Sequence, residues 1–292
     1  MNNIIDGKAI AASVCDEIAK KLLILKNKHG IVPGLAVLLV GNNPASEVYV
    51  RNKVKKCKEI GINSFEVQLP ENIVQKQLVS KLEFLNNDPK VHGILVQLPL
   101  PKHIDSDIII NTIDPNKDVD GFSSVNIGRL VNNLPGFVPC TPLGCLQLIK
   151  SVRPNLSGLK AVVIGRSNIV GKPMLHLLLQ ENCTVSMVHS KTVNIENEVK
   201  TADIVIAAVG VPELVTSNWI KPGAIVIDVG INRVIRGGKS MLIGDVKFED
   251  IKDTVYALTP VPGGVGPMTI AYLLNNTVKA ACMSKNIDMD QI

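Results

Sequence analysis

Three polar residues in the first third of the chain have types and positions that could serve a binding or reaction site. Tyr49 and Lys53 are four residues apart in SEVYVRNKVKKCKEIG, a stretch of helical periodicity, so both side chains fall on one helix face. Such a pair is more often a solvated helix surface than a site. Gln97 interrupts the apolar run ILVQLPLP, where a polar side chain must find a partner or meet a ligand. Gln97 is therefore the stronger indication of a binding site.

Two later segments could contribute to the same site. Asp118 and Asp120 lie in PNKDVDGF, in the loop after the first predicted sheet, although a local Asx-turn would explain either residue. The segment PVPGGVGPMT, residues 260–269, places three prolines and three glycines directly before a predicted helix. A loop this rigid, with so much exposed backbone, suits the close approach of a planar or anionic ligand, and a plain turn would also account for it.

A glycine turn in the second half of the chain has the features of an anion site. The segment GRSNIVGKP, residues 165–173, follows a predicted strand and precedes a predicted helix, so free N–H groups and the helix dipole would point at a ligand. The spacing differs from GxGxxG, because five residues separate Gly165 and Gly171 and Ser167 occupies the middle position. A cofactor site and a plain glycine turn explain this segment equally well.

The end of the next predicted strand indicates which dinucleotide would bind. Domains that prefer NAD usually place Asp or Glu there for the ribose 2′-hydroxyl, whereas a 2′-phosphate requires cations and hydroxyl donors. Residues 189–192 read His-Ser-Lys-Thr without a carboxylate, and Arg166 in the glycine turn could reach the same ribose. A solvated polar loop is the plain alternative, but the missing acid favours NADP.

A regular alternation of strands and helices must position the residues of the first half. From residue 35 onward the sequence predicts a βαβαβ series, which is typical of a parallel sheet covered by helices. Its elements are a strand at 35–40, a helix at 44–60, a strand at 65–69, a helix at 73–86 and a strand at 93–98. The alternation stops in residues 115–142, rich in Pro, Asp, Asn and Gly, which form the best candidate for a domain boundary.

A second series of the same kind predicts a second parallel-sheet domain. Its elements are strands at 160–165, 184–189, 204–210 and 224–230, a helix from about 171 to 181, and a last strand at 256–260. A helical pattern at roughly 265–284 follows. On pattern alone, that helix could close the second domain or return to the first.

The composition is that of a globular protein. The 292 residues are 46% hydrophobic and 20% charged, and 31 basic against 26 acidic side chains leave a net charge of +5. This length predicts two domains of about 150 residues, although one large α/β domain would also fit. The longest apolar runs span about six residues, which excludes a membrane-spanning helix of roughly 20 residues.

Other features restrict the location and the partners. The first 22 residues include Asp6 and lack a basic stretch followed by an apolar block, so we expect neither a signal nor a transit peptide and predict a cytoplasmic protein. Six dispersed cysteines without a CxxC pair fit a reducing compartment, and no Cys or His has zinc-ligand spacing, so no metal is expected. With 3% aromatic residues and no basic block, the net charge suggests a small anionic ligand rather than nucleic acid.

Nine segments in a fixed order give the sequence its resemblance to one enzyme family. They are YVRNK (49–53), GILVQLPLP (93–101), PNKDVDGF (115–122), CTP (140–142), GRSNIVGKP (165–173), HSKT (189–192), DVGIN (228–232), GDV (244–246) and PVPGGVGPMT (260–269). From about Asp6 to Ala281 the chain resembles the bifunctional methylenetetrahydrofolate dehydrogenase/cyclohydrolase (FolD-type) family. It does not depart from the family pattern at these positions.

The resemblance implies two α/β domains with parallel sheets, the second a Rossmann-type dinucleotide-binding domain. Residues 1–139 and 270–292 would form a folate-binding catalytic domain and residues 140–269 an NADP-binding domain, with the active site in the interdomain cleft. The final helix would return to the folate-binding domain. Tetrahydrofolate derivatives would be the substrates, NADP the cofactor and a homodimer the assembly.

The resemblance also implies roles for individual residues. Tyr49 would stack on the folate, Lys53 would be the acid–base catalyst, and Gln97 would hold that lysine. Asp120 would accept hydrogen bonds from the aminopyrimidine edge of the pterin. The remaining implied contacts are Pro262, Gly263 and Gly264 for the folate, and Gly165, Arg166, Ser167, Ser190, Thr192 and Ile231 for NADP. Cys140 would be structural, because neither reaction requires a thiol.

The two implied reactions make different demands on these residues. Hydride transfer from the methylene bridge to NADP+ needs positioning, because the folate nitrogens stabilise the cation that forms. Hydrolysis of the methenyl cation needs a proton acceptor for the attacking water, and we expect unprotonated Lys53 to serve. The alternatives are a monofunctional dehydrogenase, an NADP dehydrogenase of amino-acid or shikimate type, and a binding protein without turnover. The combined YxxxK, QLPLP and DVDG segments disfavour the second, and an intact Lys53 disfavours the third.

Overall fold

The chain forms two compact α/β units, each built on its own parallel sheet, which confirms the predicted fold class. The computed structural model describes residues 3–292, so the first two residues of the N-terminal segment lie outside the described part. We call residues 13–138 with 270–292 the three-stranded unit, and residues 3–12 with 139–269 the five-stranded unit. In the described part of the chain, none of the helices is long and apolar enough to cross a membrane.

The three-stranded unit contains the first predicted βαβαβ series. From the first helix to the boundary at residue 138, the elements are α1 (Gly7–His29), β1 (Gly34–Val40), α2 (Pro44–Ile60), β2 (Asn63–Leu69), α3 (Gln75–Asn87), β3 (Gly93–Val96), α4 (Ser106–Thr112) and α5 (Ser124–Val131). The strands are parallel in the order β2-β1-β3, and every residue of β1 is buried. A continuous apolar run suits such a central strand, because helices cover both of its faces.

Helix α2, which carries two predicted site residues, has clear sequence signals at both ends. The Asn43 side chain accepts hydrogen bonds from the N–H groups of Ala45 and Ser46 at 3.0 and 3.2 Å, and Pro44 occupies the first turn. Gly61 ends the helix at φ 91°, a conformation that glycine adopts without strain. These caps fix where the helix begins, and therefore which side chains share its buried face.

The five-stranded unit contains the second predicted series. Its elements are α6 (Cys140–Val152), β4 (Lys160–Ile164), α7 (Gly171–Gln180), β5 (Thr184–Val188), α8 (Ile195–Val199), β6 (Ile204–Ala207), β7 (Ile225–Asp228), β8 (Asn232–Arg236), β9 (Lys239–Ile243), α9 (Phe248–Ile251), β10 (Ala257–Leu258) and the start of α10 (Val265–Met283). The main sheet is parallel in the order β10-β7-β6-β4-β5. The chain goes from β4 to β5 on one side and then to β6 on the other, and such a reversal is where open α/β sheets bind ligands.

An antiparallel hairpin interrupts this series, and the sequence patterns do not predict it. Strands β8 and β9 pair from Asn232 with Ile243 to Arg236 with Lys239. The two residues between them, Gly237 and Gly238, have φ values of 56° and 75°. Two consecutive positive φ angles are characteristic of the tight turn that matches the twist of a hairpin, and glycine adopts them readily.

The division of the chain differs from the expected domains at the N-terminus. Residues 3–12 were expected in the first domain but group with the five-stranded unit. The reason is backbone pairing: the Ile5 N–H donates to the Leu258 carbonyl, and the Leu258 N–H donates to the Asn3 carbonyl, both at 2.9 Å. The segment therefore extends the edge of the main sheet beside β10. The other divisions fall between residues 138 and 139 and between 269 and 270.

Candidate functional site

A buried lysine bonded to a glutamine is the main feature of the three-stranded unit. The side chain of Lys53 lies on the covered face of α2, and the residue is only 8% exposed. Its Nζ donates a hydrogen bond to Oε1 of Gln97 at 3.1 Å. Gln97 follows β3 directly, and its own Nε2 donates to the Leu98 carbonyl at 2.7 Å, so the amide oxygen faces the lysine. The structure thus brings together two of the predicted site residues at the carboxyl end of the sheet.

Tyr49 lies one turn before Lys53 on α2 and is 38% exposed. The two side chains share a helix face, as the four-residue spacing predicts. A partly exposed aromatic ring next to a buried amine can stack on a flat ligand whose reactive atom approaches the amine. The alternative that the pair is a solvated helix surface does not apply to Lys53, because that side chain is buried.

The two aspartates of the DVDG segment differ in their surroundings. Asp118 is buried and accepts hydrogen bonds from the N–H groups of Gly121, Phe122 and Ser123 at 3.0, 3.2 and 2.8 Å. It also accepts one from Nδ2 of Asn126 at 2.9 Å. Asp120 is half-buried. The Asx-turn that the sequence allowed for either residue is formed by Asp118, which shapes the loop that presents Asp120.

Two asparagines that the sequence patterns did not single out hold the same loop. Asn126 is fully buried, and its Nδ2 donates to the Pro115 carbonyl at 2.9 Å as well as to Asp118. Asn276 in α10 donates from Nδ2 to the Val119 carbonyl at 2.9 Å. The Ser123-x-x-Asn126 spacing at the start of α5 was a usable signal for the first, whereas no local pattern marks Asn276.

The glycine turn of the five-stranded unit packs backbone against backbone. Gly165 follows β4 with φ 117°, and a Cβ there would collide with the Ala208 carbonyl after β6. A Cβ at Gly171 would collide in the same way with the Gly165 carbonyl. Both positions therefore require glycine, and the turn leaves its backbone at the carboxyl edge of the sheet, where a phosphate can approach.

The side chains in that turn are available to a ligand. Arg166 and Ser167 are exposed. The Ser167 hydroxyl accepts hydrogen bonds from the N–H groups of Val170 and Gly171 at 3.2 and 3.3 Å and so caps the start of α7. An exposed guanidinium beside a capped helix N-terminus can bind an anion.

The loop after β5 is a tight polar turn without a carboxylate. The Thr192 hydroxyl accepts from the His189 N–H at 2.9 Å, and the Lys191 N–H donates to His189 Nδ1 at 3.2 Å. Ser190 and Lys191 are exposed, and Thr192 is half-buried. The loop can offer a hydroxyl and an ammonium group to a phosphate, as the sequence predicts.

The proline–glycine loop and Ile231 also belong to the five-stranded unit. Pro262 is exposed and follows a cis peptide bond, and Gly263 has φ 107°. Ile231 is 42% exposed, and a Cβ at Gly266 would lie 3.8 Å from its Cδ1. The exposed Pro262 and Ile231 suit a flat ring, whereas Gly263 is half-buried and Gly264 is buried. The predicted position of the active site in a cleft between the domains stays a prediction.

Buried acids and thiols complete the description of the five-stranded unit. Burial and the nearby charge of Asp245 raise the pKa of Asp228 to about 7, against three backbone hydrogen bonds that lower it. Cys140, the first residue of α6, is buried, which fits the structural role expected for it. Within residues 3–292, no three His, Cys, Asp or Glu side chains group as metal ligands.

Comparison with known proteins matches nearly the whole chain to one family. Residues 5–120 match the catalytic domain of tetrahydrofolate dehydrogenase/cyclohydrolase, and residues 139–285 match the NAD(P)-binding domain of the same family. The bifunctional protein FolD of Wolbachia pipientis subsp. Culex pipiens is 57% identical over 289 residues, which cover 99% of this chain and 98% of that protein.

Solved structures agree with this match. The bifunctional FolD methylenetetrahydrofolate dehydrogenase/cyclohydrolase of Campylobacter jejuni has a TM-score of 0.93 at 50% identity, covering 96% of this chain and 99% of its own. The Trypanosoma brucei FolD enzyme, solved in complex with NADP cofactor and inhibitor, has a TM-score of 0.93 at 38% identity, with 97% and 98% covered. The chain therefore belongs to the tetrahydrofolate dehydrogenase/cyclohydrolase family.

Proposed function

We propose that this chain oxidises 5,10-methylenetetrahydrofolate to 5,10-methenyltetrahydrofolate with NADP+ and hydrolyses the product to 10-formyltetrahydrofolate, two steps of one-carbon metabolism. The observation that carries the proposal is the buried Lys53 held by Gln97 on the helix that presents Tyr49. Burying an amine costs free energy. A buried amine that is oriented by an amide oxygen therefore indicates a role in ligand binding or in a reaction.

For the hydrolysis, Lys53 is the proton acceptor. Water attacks the bridge carbon of the methenyl cation, and Lys53 accepts the proton that the water loses. The bond from this carbon to N5 then breaks as the new hydroxyl passes its proton to N5, which leaves the 10-formyl group. The Gln97 oxygen accepts an N–H from the amine and so fixes its position. Tyr49 stacks on the folate ring, and Asp120, presented by the loop that Asp118 shapes, binds the aminopyrimidine edge.

For the oxidation, the chain supplies positioning. NADP+, when bound, accepts the hydride from the methylene carbon. The residues of the five-stranded unit fit this cofactor: the turn at Gly165 and Gly171 has no room for side chains, and Arg166, Ser167, Ser190 and Thr192 provide cationic and hydroxyl groups for phosphate. Ile231, which is 42% exposed, would contact the ribose side of the cofactor, and Pro262, Gly263 and Gly264 would line the folate.

We also propose that the protein is a cytoplasmic homodimer. The hairpin of β8 and β9 supports a self-association surface, because Ile235 and Leu242 lie on one of its faces and are 77 and 39% exposed. All six cysteines are unpaired and buried, which suits a reducing compartment. Sedimentation at micromolar concentration tests the assembly: Ile235→Lys with Leu242→Lys should give monomers, and an unchanged mass would place the interface elsewhere.

One assay tests the two activities separately. The purified protein receives 5,10-methylenetetrahydrofolate with NADP+ or NAD+, and in a second cuvette 5,10-methenyltetrahydrofolate alone. We expect reduction of NADP+ in the first and methenyl loss well above the buffer rate in the second. Reduction without faster methenyl loss would show the monofunctional alternative. Faster reduction of NAD+ than of NADP+ at equal concentration would contradict the proposed role of the loop at 189–192.

A further inference from the structure

Two buried acids in the five-stranded unit have no role in the site described above. Asp228 ends β7 and Asp245 follows β9, and they are 3% and 0% exposed. Asp228 accepts hydrogen bonds from the N–H groups of Gly230, Asp245 and Val246 at 3.0, 2.9 and 2.9 Å. One carboxylate thus fixes the chain after β7 and also the backbone of the second acid.

Asp245 holds two other parts of the chain. Its Oδ2 accepts from the N–H groups of Val209 and Gly210 at 2.7 and 2.9 Å, and its Oδ1 accepts from Nδ2 of Asn232 at 2.9 Å. The packing around the pair is tight, because a Cβ at Gly230 would collide with the Asp245 carboxylate and one at Gly244 with the Asp228 carboxylate. The DVGIN and GDV segments are therefore two halves of one interlocked contact.

The segments that the acids hold form the carboxyl edge of the parallel sheet. Val209 and Gly210 follow β6, and residues 229–232 follow β7. The Gly165 turn packs on the Ala208 carbonyl, directly before Val209. Ile231 lies between Gly230 and Asn232, which the two acids bind. Hydrogen bonds thus connect the acids to the edge where open α/β sheets bind dinucleotides.

We propose that Asp228 and Asp245 are positioning residues of the dehydrogenase reaction: they hold the chain after β6 and β7 as the rim on which the nicotinamide end of NADP rests. This inference rests on the proposed function. Neither acid needs to touch the cofactor. A shift of this rim misplaces the surface that the nicotinamide end of NADP would contact, so KM for NADP+ rises and the dehydrogenation slows. No nucleotide takes part in the hydrolysis, so its rate does not depend on the rim.

The test compares the two reactions in one protein. Asp245→Asn keeps the side-chain volume but replaces one carboxylate oxygen by an NH2 group. That group must face either the Val209 and Gly210 N–H donors or the side-chain amide of Asn232. We expect KM for NADP+ to rise about tenfold or more, with methenyl hydrolysis within about twofold of the wild-type rate. Asn232→Ala removes one bond to the same carboxylate and should raise KM by about threefold, which keeps the proposal testable if the first variant does not fold.

Asp203→Asn is the matched control. Asp203 lies in the same unit, and its Oδ2 accepts from the Lys160 N–H at 2.9 Å, at the amino end of β4. We expect it to leave KM for NADP+ unchanged. The proposal is overturned if KM stays at the wild-type value in both rim variants, if both reactions fall together, or if Asp203→Asn gives the same rise. If the wild-type protein reduces neither nucleotide, the proposed function fails, and the same comparison is made on the NADP+ dissociation constant by calorimetry.

Discussion

Asp228 should make the stability of the five-stranded unit fall as the pH rises from 5 to 8. Burial and the charge of Asp245 raise the pKa of Asp228 from 3.8 to about 7 in the folded protein. Between these values the folded protein keeps a proton that the unfolded chain has already lost. The unfolded state therefore binds fewer protons, and the free energy of unfolding decreases with pH.

The two pKa values differ by about three, which corresponds to about 4 kcal/mol at ~1.4 kcal/mol for each tenfold change in equilibrium constant. Most of this contribution is lost between pH 5 and pH 8, where we expect the free energy of unfolding to fall by about 3 kcal/mol. Below about pH 3 the contribution is constant, because Asp228 is then protonated in both states.

Trp219 provides the assay. It is the single tryptophan of the chain, and it is buried in the core cluster of the five-stranded unit. Urea unfolding followed by its fluorescence at several pH values should show the loss in the wild type. Asp228→Asn cannot ionise, so its curve should lack that slope while other groups titrate equally in both proteins. Parallel curves for the two proteins between pH 5 and 8 would refute the reasoning.

Three further substitutions have defined expectations. Asp118→Asn should lower the free energy of unfolding by about 2–4 kcal/mol in calorimetry, because an amide cannot accept from all four donors that bind the buried carboxylate. The control is the exposed Asp107→Asn, which should lower it by less than ~0.5 kcal/mol. Equal effects of the two substitutions would contradict this expectation. Gly165→Ala should raise KM for NADP+ and spare methenyl hydrolysis, since φ 117° strains alanine by about 1–3 kcal/mol and its Cβ meets the Ala208 carbonyl. Ser190→Asp should weaken NADP+ relative to NAD+ by about tenfold in kcat/KM through repulsion of the 2′-phosphate, and neutral Ser190→Asn should not; equal changes in the two variants would exclude a charge effect.

Central strands of the two parallel sheets, such as β1, β4 and β6, were predictable because each has a continuous apolar run, whereas the hairpin strands β8 and β9 have none. The predicted strand at 204–210 is the informative exception, since β6 ends at Ala207. The N–H groups of Val209 and Gly210 donate to the Asp245 side chain instead of to a neighbouring strand. That partner is 35 or more residues away in sequence, and no local pattern reveals it. The loop-rich interpretation of residues 115–142 also missed α5, although its cap is a local signal: the Asn126 N–H donates to the Ser123 hydroxyl three residues earlier.

The same distinction applies to the candidate site: local patterns predicted its residues but not the contacts between them. The spacing of Tyr49 and Lys53 placed them on one helix face, and the polar Gln97 in an apolar run marked the end of a strand. Their contact joins residues 44 apart in the chain, so it required the register of the sheet. On residue types alone Asp118 and Asp120 were equivalent, and the family resemblance pointed to Asp120. The hydrogen bonds that Asp118 accepts from the N–H groups of its own loop became visible only in the three-dimensional structure.

The central claim is that Lys53 is the proton acceptor in the hydrolysis, and one comparison of two lysines on α2 tests it. Lys53→Met removes the buried amine, and Lys55→Met removes an exposed one whose side chain is 75% exposed. With 5,10-methenyltetrahydrofolate as substrate, we expect Lys53→Met to lower the hydrolysis rate by about 10²- to 10⁴-fold with folate binding largely retained, and Lys55→Met to have no effect. Hydrolysis by Lys53→Met at the wild-type rate would contradict the account.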